Sequence, residues 1–367
     1  MVCLFTFKLC EILRNISFTL PRYKMTADES QNKVILATGG YDHIIHFWQA
    51  HSGVRQCSVQ YPTSQINSME IHPNKQLLAA AGFQHIRMYD IYSSNSNPVV
   101  NYEGAPKNFT AVGFQEDGRW MYTGSEDNTT RVWDLRSRTL QCQRLFGAVA
   151  PVNCVCLHPN QCELYIGDQS GAIYLWDLKS GDDPALKKPF FKVSEPRVSI
   201  QYIHIDSEGT CMAAVDNKGN CYTFIIGSRG KMHAQPTRHL KFQAHDTYAI
   251  KCKFSPDSTL LVTTSADCSA KIWRTADLNL LPSNQNVDLT TENGSEWQKI
   301  PITPMIQLKD NNQRWVWDVA FSADSQYLVT ASSDNLARLW CISKGEVKRE
   351  YSGHSKALTA LAFRDGI

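Results

Sequence analysis

The chain has 367 residues, of which 43% are hydrophobic and 20% are charged, a composition typical of a globular protein with a large core. Lysine and arginine number 37 against 35 aspartates and glutamates, and this balance excludes the strongly basic surface by which proteins bind nucleic acid or acidic lipid. The twelve cysteines are spread along the chain without a Cys-x-x-Cys pair, which predicts reduced thiols in a cytoplasmic protein, with no disulfide framework, no metal and no cofactor.

The first 24 residues are unlike the rest of the chain. Residues 1–14 are mostly apolar, but Lys8, Glu11 and Arg14 interrupt the run, and no clear signal-peptide cleavage site follows. The run is also shorter than the roughly 20 apolar residues that span a bilayer, so we expect no membrane insertion. We predict that residues 1–24 are an N-terminal extension that is disordered or absent from the working form, which would begin at Met25.

From residue 34 onward, the chain repeats a short pattern of strands. An aromatic residue closes the third strand of each unit, at Trp48, Tyr89, Trp133, Trp176, Phe224, Trp273 and Trp340. Five of the six intervals between these aromatics are 41–49 residues, close to the roughly 40–45 residues of a WD40 unit, and the last interval is 67. We therefore expect a lengthened loop at about residues 275–314, between the sixth and seventh units.

Each unit is expected to contain four antiparallel strands. An apolar strand ends in a turn, as at residues 72–74 and 255–257, and a strand of small residues follows, as at residues 36–39 and 262–265. Small side chains allow sheets to pack closely, while the aromatic of the third strand fills the space between them. Residues 25–367 are therefore predicted to form an all-β, seven-bladed WD40 β-propeller.

The two ends of the chain are predicted to share one blade. The chain enters at Val34 with a small-residue strand, so the first unit lacks an inner strand, whereas residues 357–363 form an inner strand without a blade of its own. Pairing of this C-terminal inner strand with the first N-terminal blade would close the ring and leave no open sheet edge.

Several units carry a threonine four positions before an aspartate, which stands six positions before a tryptophan. In two places a histidine also precedes an inner strand, and such a set can form a hydrogen-bonded chain across one blade. The residues predicted to form these structural networks are Thr38, Asp42, Trp48 and His354 in one unit, and Thr263, Asp267, Trp273 and His245 in another. Because the arrangement recurs, we interpret it as structural and not as a catalytic His/Asp pair.

The starts of the inner strands form a second recurring set. Equivalent positions carry amide and aromatic side chains instead of the valine and isoleucine of a buried strand, and aromatic residues with few charges are typical of protein interfaces. The candidate partner-binding residues are Gln65, Asn67, Asn108, Asn153, Tyr248, Trp315 and Trp317. Trp315 and Trp317 have one residue between them and therefore point to the same side of a strand. They either form part of one exposed face or are both buried in the packing between blades.

Beyond this architecture, several runs resemble one family of WD-repeat proteins. The runs are GYDH at residues 40–43, FWQAHSG at 47–53, QHIRMYD at 84–90, EDGRWMYTG at 116–124, HPN at 158–160 and SSDNLARLW at 332–340. Together they resemble the G-protein-β-like WD-repeat subunit of the TOR kinase complexes, over about residues 33–366. The N-terminal extension lies outside the family pattern, and the loop at 275–314 is longer than usual.

The resemblance implies a non-catalytic scaffold subunit of TOR complexes 1 and 2. In that family the propeller docks on the kinase catalytic domain, and the kinase-facing residues include counterparts of Gln65, Asn67, Trp315 and Trp317. We therefore expect a monomeric propeller that supports the active kinase and, through it, contacts other subunits of the complex. The expected location is the cytoplasm, with recruitment to lysosomal membranes through the complex.

Two other functional classes, an enzyme and a substrate-recognition adaptor, make different demands on the sequence. A propeller enzyme needs carboxylates, histidines or an ion converging on the central channel, and no Gly-x-Ser-x-Gly, His-Glu-x-x-His or phosphate-loop motif is present. A WD40 substrate-recognition adaptor for another complex, such as a ubiquitin ligase, would need a cluster of arginines for a phosphorylated peptide, and Arg197 and Arg314 alone do not form one. The adaptor is kept as the alternative to the scaffold.

Overall fold

Antiparallel strands make up nearly all of the regular structure in the computed structural model. The structure describes residues 34–62, 64–93, 95–136, 142–180, 188–226, 236–278 and 302–365. The predicted extension at residues 1–24 and the proposed start at Met25 lie outside the described residues, as does the centre of the predicted long loop, residues 279–301.

Within the described residues, the strands form seven four-stranded sheets, which we call blades 1 to 7 in chain order. Blade 1 contains β1 (Ile35–Gly40), β2 (Ile44–Gln49) and β3 (Arg55–Gln60). Blade 2 contains β4 (Ser68–Ile71), β5 (Leu77–Ala81), β6 (Phe83–Asp90) and the first part of β7 (Val100–Phe114), and blade 3 contains the rest of β7 with β8 (Trp120–Ser125), β9 (Thr129–Asp134) and β10 (Cys142–Gly147).

The other four blades follow the same order from the inner to the outer strand. Blade 4 contains β11 (Val152–Leu157), β12 (Glu163–Asp168), β13 (Ala172–Asp177) and β14 (Phe191–Lys192), and blade 5 contains β15 (Ile200–Ile205), β16 (Cys211–Asp216), β17 (Asn220–Ile225) and β18 (Thr237–Gln243). Blade 6 contains β19 (Ala249–Phe254), β20 (Leu260–Ser265), β21 (Ala270–Arg274) and β22 (Ile306–Leu308), with a one-turn helix, α1 (Thr275–Leu278), after β21. Blade 7 contains β23 (Val316–Phe321), β24 (Tyr327–Ser332), β25 (Leu336–Cys341) and β26 (Glu346–Ser352).

The last strand, β27 (Leu358–Arg364), belongs to blade 1. It pairs antiparallel with β1, so that Leu36 lies opposite Phe363 and Thr38 opposite Leu361. The predicted pairing of the C-terminal inner strand with the first blade is therefore present. The strand also contacts both neighbouring blades, because Thr359 donates a hydrogen bond to the carbonyl of Ile66 and Asp318 accepts one from the Leu361 amide.

The core lies between adjacent blades. In the gap between blades 5 and 6, the small residues Ala213 and Ala249 pack with Phe242, Leu261 and Trp273, all of them buried. The packing is as predicted: small residues allow neighbouring sheets to approach closely, and the aromatic residue of the third strand fills the remaining volume between them. Each large side chain buried in this way contributes about 1.5–3 kcal/mol, so every gap between blades adds to the stability of the ring. The prediction of a seven-bladed propeller is confirmed.

Candidate functional site

One rim of the propeller gathers the starts of all the inner strands. Because neighbouring strands are antiparallel, the loop between the second and third strands of each blade returns to the same rim. We call this rim the entry face. It includes Tyr41, Phe83, Val149, Tyr248 and Trp315.

Exposed large hydrophobic side chains concentrate on the entry face. Of the nine such side chains among the described residues, these five lie there, and Tyr248 and Trp315 are 52% and 47% exposed. The sequence pattern identified only Tyr248 and Trp315, because it followed the inner strands. Tyr41 lies in the loop after β1, and Phe83 is the first residue of β6. Each directly follows a glycine, Gly40 or Gly82, and that position was the available signal for them.

Trp315 and Trp317 form an aromatic pair at the start of the inner strand of blade 7. Their ring centroids lie 5.8 Å apart, with the planes tilted by 43°. Trp317 is half-buried, and its indole N–H donates a hydrogen bond of 2.7 Å to Ser333 Oγ. Trp317 therefore packs against the more exposed Trp315, and Tyr248 occupies the equivalent rim position of blade 6.

Six of the seven inner strands contain a β-bulge near their starts, and the bulged residues Thr110, Asn153 and Thr359 donate hydrogen bonds to the neighbouring blade. The side-chain amide of Asn153 donates to the carbonyl of Ile200 in the next blade, at 2.7 Å. A bulge re-aims one side chain while the strand continues, which accounts for the direction of this amide. Asn67 makes the same kind of contact from the inner strand of blade 2, which has no bulge, and donates to the carbonyl of Phe109 at 2.9 Å.

The candidate amide side chains of the entry face make hydrogen bonds within the protein, whereas the aromatic residues Tyr248 and Trp315 are exposed. The NH2 groups of Asn67 and Asn153 bind the adjacent blade, and that of Asn108 donates to Glu126 Oε2 at 2.9 Å. Gln65 is half-buried at the same rim. The exposed part of the predicted ring is therefore the aromatic part, at blades 6 and 7.

The predicted polar networks of blades 1 and 6 are assembled from the predicted residues. In blade 1, Trp48 Nε1 donates to Thr38 Oγ1 at 2.7 Å, His354 Nε2 lies 2.8 Å from the same oxygen, and His354 Nδ1 lies 2.8 Å from Asp42 Oδ2. The blade 6 set repeats these contacts: Trp273–Thr263 at 3.0 Å, Thr263–His245 at 2.8 Å and His245–Asp267 at 2.8 Å.

The acidic end of each network is held in its charged form. Burial raises the pKa of Asp267, but hydrogen bonds from His245 and Ser269 outweigh this effect and lower the pKa to about 2. Blades 3 and 7 keep the Trp–Thr bond, at 3.0 and 2.9 Å. A contact that recurs in several blades stabilises the blades themselves, since a reaction centre would be needed only once.

Comparison with known proteins identifies the repeat family to which segments of this chain are similar. Four segments match the WD domain, G-beta repeat family: residues 96–134, 140–177, 236–274 and 303–341. Each segment runs from the outer strand of one blade to the third strand of the next. None of the helical segments in the described parts of the chain has the length and apolar character of a membrane span.

Similar proteins cover nearly the whole chain. The target of rapamycin complex subunit LST8 of Bos taurus is 53% identical over 335 residues, which is 91% of this chain and 96% of that protein. The Mus musculus protein of the same name is 52% identical over the same shares, and the Drosophila melanogaster protein LST8 homolog is 44% identical over 92% of this chain and 98% of its own length.

Proposed function

The chain belongs to the LST8 family of target of rapamycin complex subunits, and we propose that it is a non-catalytic scaffold that docks on the kinase catalytic domain of such a complex through the entry face. In this role it would support the assembly and the active conformation of the kinase in nutrient and growth signalling. The names of its relatives describe subunits of the target of rapamycin complex, which supports the choice of partner.

The observation that carries the proposal is the exposure of Trp315 and Tyr248, with the half-buried Trp317 packed against Trp315. Large aromatic side chains supply most of the binding energy in protein interfaces, especially where a rigid neighbour holds them in place. Here Trp317 donates a hydrogen bond to the Ser333 hydroxyl and packs against Trp315. These contacts restrict the two indole rings before binding, which reduces the side-chain entropy that they lose on binding.

The free thiols fit a scaffold that works in the cytoplasm. Cys154, Cys221 and Cys252 are buried free thiols. Burial raises the pKa values of Cys154 and Cys221, so these thiols are protonated and unreactive at neutral pH. Proteins of reducing compartments keep cysteines in this form.

The test is co-purification of the full chain with the kinase. The double substitution Trp315→Ala and Trp317→Ala should abolish recovery of the kinase, since loss of such anchors costs on the order of 2 kcal/mol or more each. Tyr327→Ala is a matched control, because Tyr327 is an exposed aromatic at the start of β24, on the opposite rim. Circular dichroism and thermal melting should show that both variants are folded.

The same experiment separates the scaffold from the substrate adaptor. Undiminished recovery of the kinase with the folded double variant would reject docking through the entry face. If mass spectrometry instead found ubiquitin-ligase subunits with the wild-type chain and no kinase, the adaptor would replace the scaffold.

A further inference from the structure

Blade 1 departs from the other blades at one position of its polar network. In blades 3 and 7, the residue four positions after the network aspartate is an arginine that forms an ion pair with it: Arg131 with Asp127 at 2.7 Å and Arg338 with Asp334 at 2.6 Å. Blade 6 has Lys271 at this position. Blade 1 has His46 at this position, where the other three networks have a lysine or an arginine.

His46 lies beside the other two ionisable residues of the blade 1 network. The potential ligand atoms of Asp42, His46 and His354 are all within 4.8 Å of one another, and the rings of His46 and His354 are 4.2 Å apart. All three side chains are buried: His46 is 3% exposed, and the side chains of Asp42 and His354 are exposed by 2% and 0%.

One nitrogen of this cluster lacks a partner. His46 Nδ1 is 2.7 Å from Ser58 Oγ, whereas His46 Nε2 is buried without a hydrogen bond of acceptable geometry, although the Gly353 backbone is nearby. Buried polar atoms are nearly always bonded, so an unpartnered nitrogen in a cluster that also holds a carboxylate and a second imidazole needs an explanation.

The tautomer of His46 decides whether this nitrogen can act as a ligand. The contact between His46 Nδ1 and Ser58 Oγ allows Nδ1 either to donate or to accept the proton. When Ser58 accepts a proton from Nδ1, the lone pair lies on Nε2, which is the arrangement that outer-shell partners impose on metal-binding histidines.

We propose that Asp42, His46 and His354 bind one divalent transition metal ion, with zinc as the expected ion. Two imidazoles and one carboxylate are ligands that zinc prefers, and three protein ligands leave a fourth position for water. Bonds of 2.0–2.1 Å in a tetrahedral site place ligand atoms about 3.3 Å apart. His354 Nδ1 and Asp42 Oδ2, which are 2.8 Å apart, must therefore separate by about 0.5 Å, while the wider pairs of the cluster, which lie within 4.8 Å, must approach each other.

Binding requires one tautomer change and no net loss of protons. In the metal-free network, the short contact between His354 Nδ1 and Asp42 Oδ2 holds a proton. The metal takes that place, and the proton moves to His354 Nε2, where the hydroxyl oxygen of Thr38 lies 2.8 Å away and can accept it. The imidazole remains neutral, and Asp42 offsets part of the charge of the ion.

The position of the cluster gives the ion a structural task. Asp42 and His46 come from the β1–β2 hairpin, while His354 lies between β26 and β27. The two parts of the chain meet where the C-terminal strand closes the ring, so a shared metal would lock this closure directly beneath the entry face. Blade 6 repeats the network but places Lys271 where the third ligand would be, and the Lys271 ammonium instead donates to the carbonyl of Ala244.

The experiment uses the full chain, stripped with a chelator and titrated with Zn2+ alone. The wild-type chain should bind one equivalent and melt at a higher temperature with zinc. His46→Arg, which installs the residue found in blades 3 and 7, should bind at least about tenfold more weakly and lose the zinc-dependent shift. His46→Phe gives the same test if the arginine variant does not fold.

A matched control and a spectrum decide where the ion binds. His245→Asn alters the equivalent network in blade 6 and should retain one equivalent of zinc. Substituted Co2+ should show d–d bands without the thiolate-to-cobalt charge-transfer band that cysteine ligands produce. Absence of saturable zinc binding, equal binding by the folded His46 variants, or a thiolate band would each overturn the proposal.

Discussion

His204 shows how strongly a single position on an inner strand can be tuned by its surroundings. It lies on β15, where its Nδ1 accepts a hydrogen bond of 3.1 Å from the backbone amide of Phe254 in the next blade. Burial lowers the pKa of His204 to about 3, and the nearby Lys253 ammonium adds to this effect. The imidazole is therefore neutral in the folded protein at any pH above about 4.

The lowered pKa predicts that His204 destabilises the protein in mild acid. In the unfolded chain the imidazole has its ordinary pKa of about 6.5, so between pH 6.5 and 3 the unfolded state holds a proton that the folded state does not. The free energy of unfolding should therefore decrease by about 1 kcal/mol for each pH unit below 6.5. His204→Asn keeps an acceptor for the Phe254 amide but does not titrate.

Urea unfolding at pH 7 and pH 5 would measure this contribution. The wild-type chain should lose about 1–2 kcal/mol more than the His204→Asn variant between the two pH values. An equal loss in both proteins would mean that His204 takes up its proton without unfolding and that another group causes the acid sensitivity.

At the scale of elements, the inner strands are held together by more than apolar packing. Lys251 of β19 forms an ion pair of 2.7 Å with Asp318 of β23, and its ammonium lies 5.0 Å from the centre of the Tyr202 ring on β15. Asp318 also accepts a hydrogen bond of 3.0 Å from the Leu361 amide on β27. One carboxylate thus connects blades 6, 7 and 1, and its cation reaches blade 5.

Substitution of Asp318 should measure how much this ion pair contributes to the stability of the inner strands. Asp318→Asn leaves Lys251 without its counter-ion in a buried position, and we expect a cost of about 2–3 kcal/mol in the free energy of unfolding. In a Lys251→Met background no cation remains to be stranded, so the same substitution should cost at least about 1 kcal/mol less. Equal costs in the two backgrounds, measured by urea unfolding, would show that the two side chains do not interact appreciably.

At the scale of the whole molecule, the repeat made the architecture predictable, whereas the contacts between repeats did not follow from it. The spacing of Trp133, Trp176 and Trp273 reflects four strands per blade, and this local rule was sufficient to count the blades. The pattern could not show that Asn153 binds the neighbouring blade, because a bulge fixes that direction. Nor could it show that His46 meets His354, since the two come together only when the ring closes.

Two exposed aromatic residues of the entry face, Tyr41 and Phe83, were not predicted because the repeat pattern did not include them. Tyr41 lies between β1 and β2, Phe83 begins β6, and both side chains are exposed. Their aromatic character was visible in the sequence, but the periodic signal came from the inner strands and from the aromatics that close the third strands, and not from the turns where these two residues lie. Docking of the kinase on this face stays a prediction, which the Trp315 and Trp317 variants test.

Closure of the ring leads to a prediction for the whole chain. Deletion of residues 356–367 removes β27, which leaves β1 with an unpaired edge and exposes the packing partners of Leu358 and Leu361, both buried. Each of these leucines is worth about 1.5–3 kcal/mol, and with the lost strand pairing the total approaches the 5–15 kcal/mol that typically stabilises a domain. The truncated chain should therefore fail to unfold cooperatively and should aggregate through the open edge, whereas removal of residues 366 and 367 alone should have little effect.

A rearranged chain separates the strand itself from its place at the C-terminus. Because Arg364 lies opposite Ile35, a short glycine-serine turn can join residues 353–365 directly in front of Val34 as an ordinary hairpin. This permuted chain restores the inner strand of blade 1 and should recover a cooperative melt by differential scanning calorimetry, with a lower midpoint because the two chain ends no longer clasp each other. If the truncated chain melted cooperatively at the wild-type temperature, the C-terminal strand would not be what holds the seven blades in a ring.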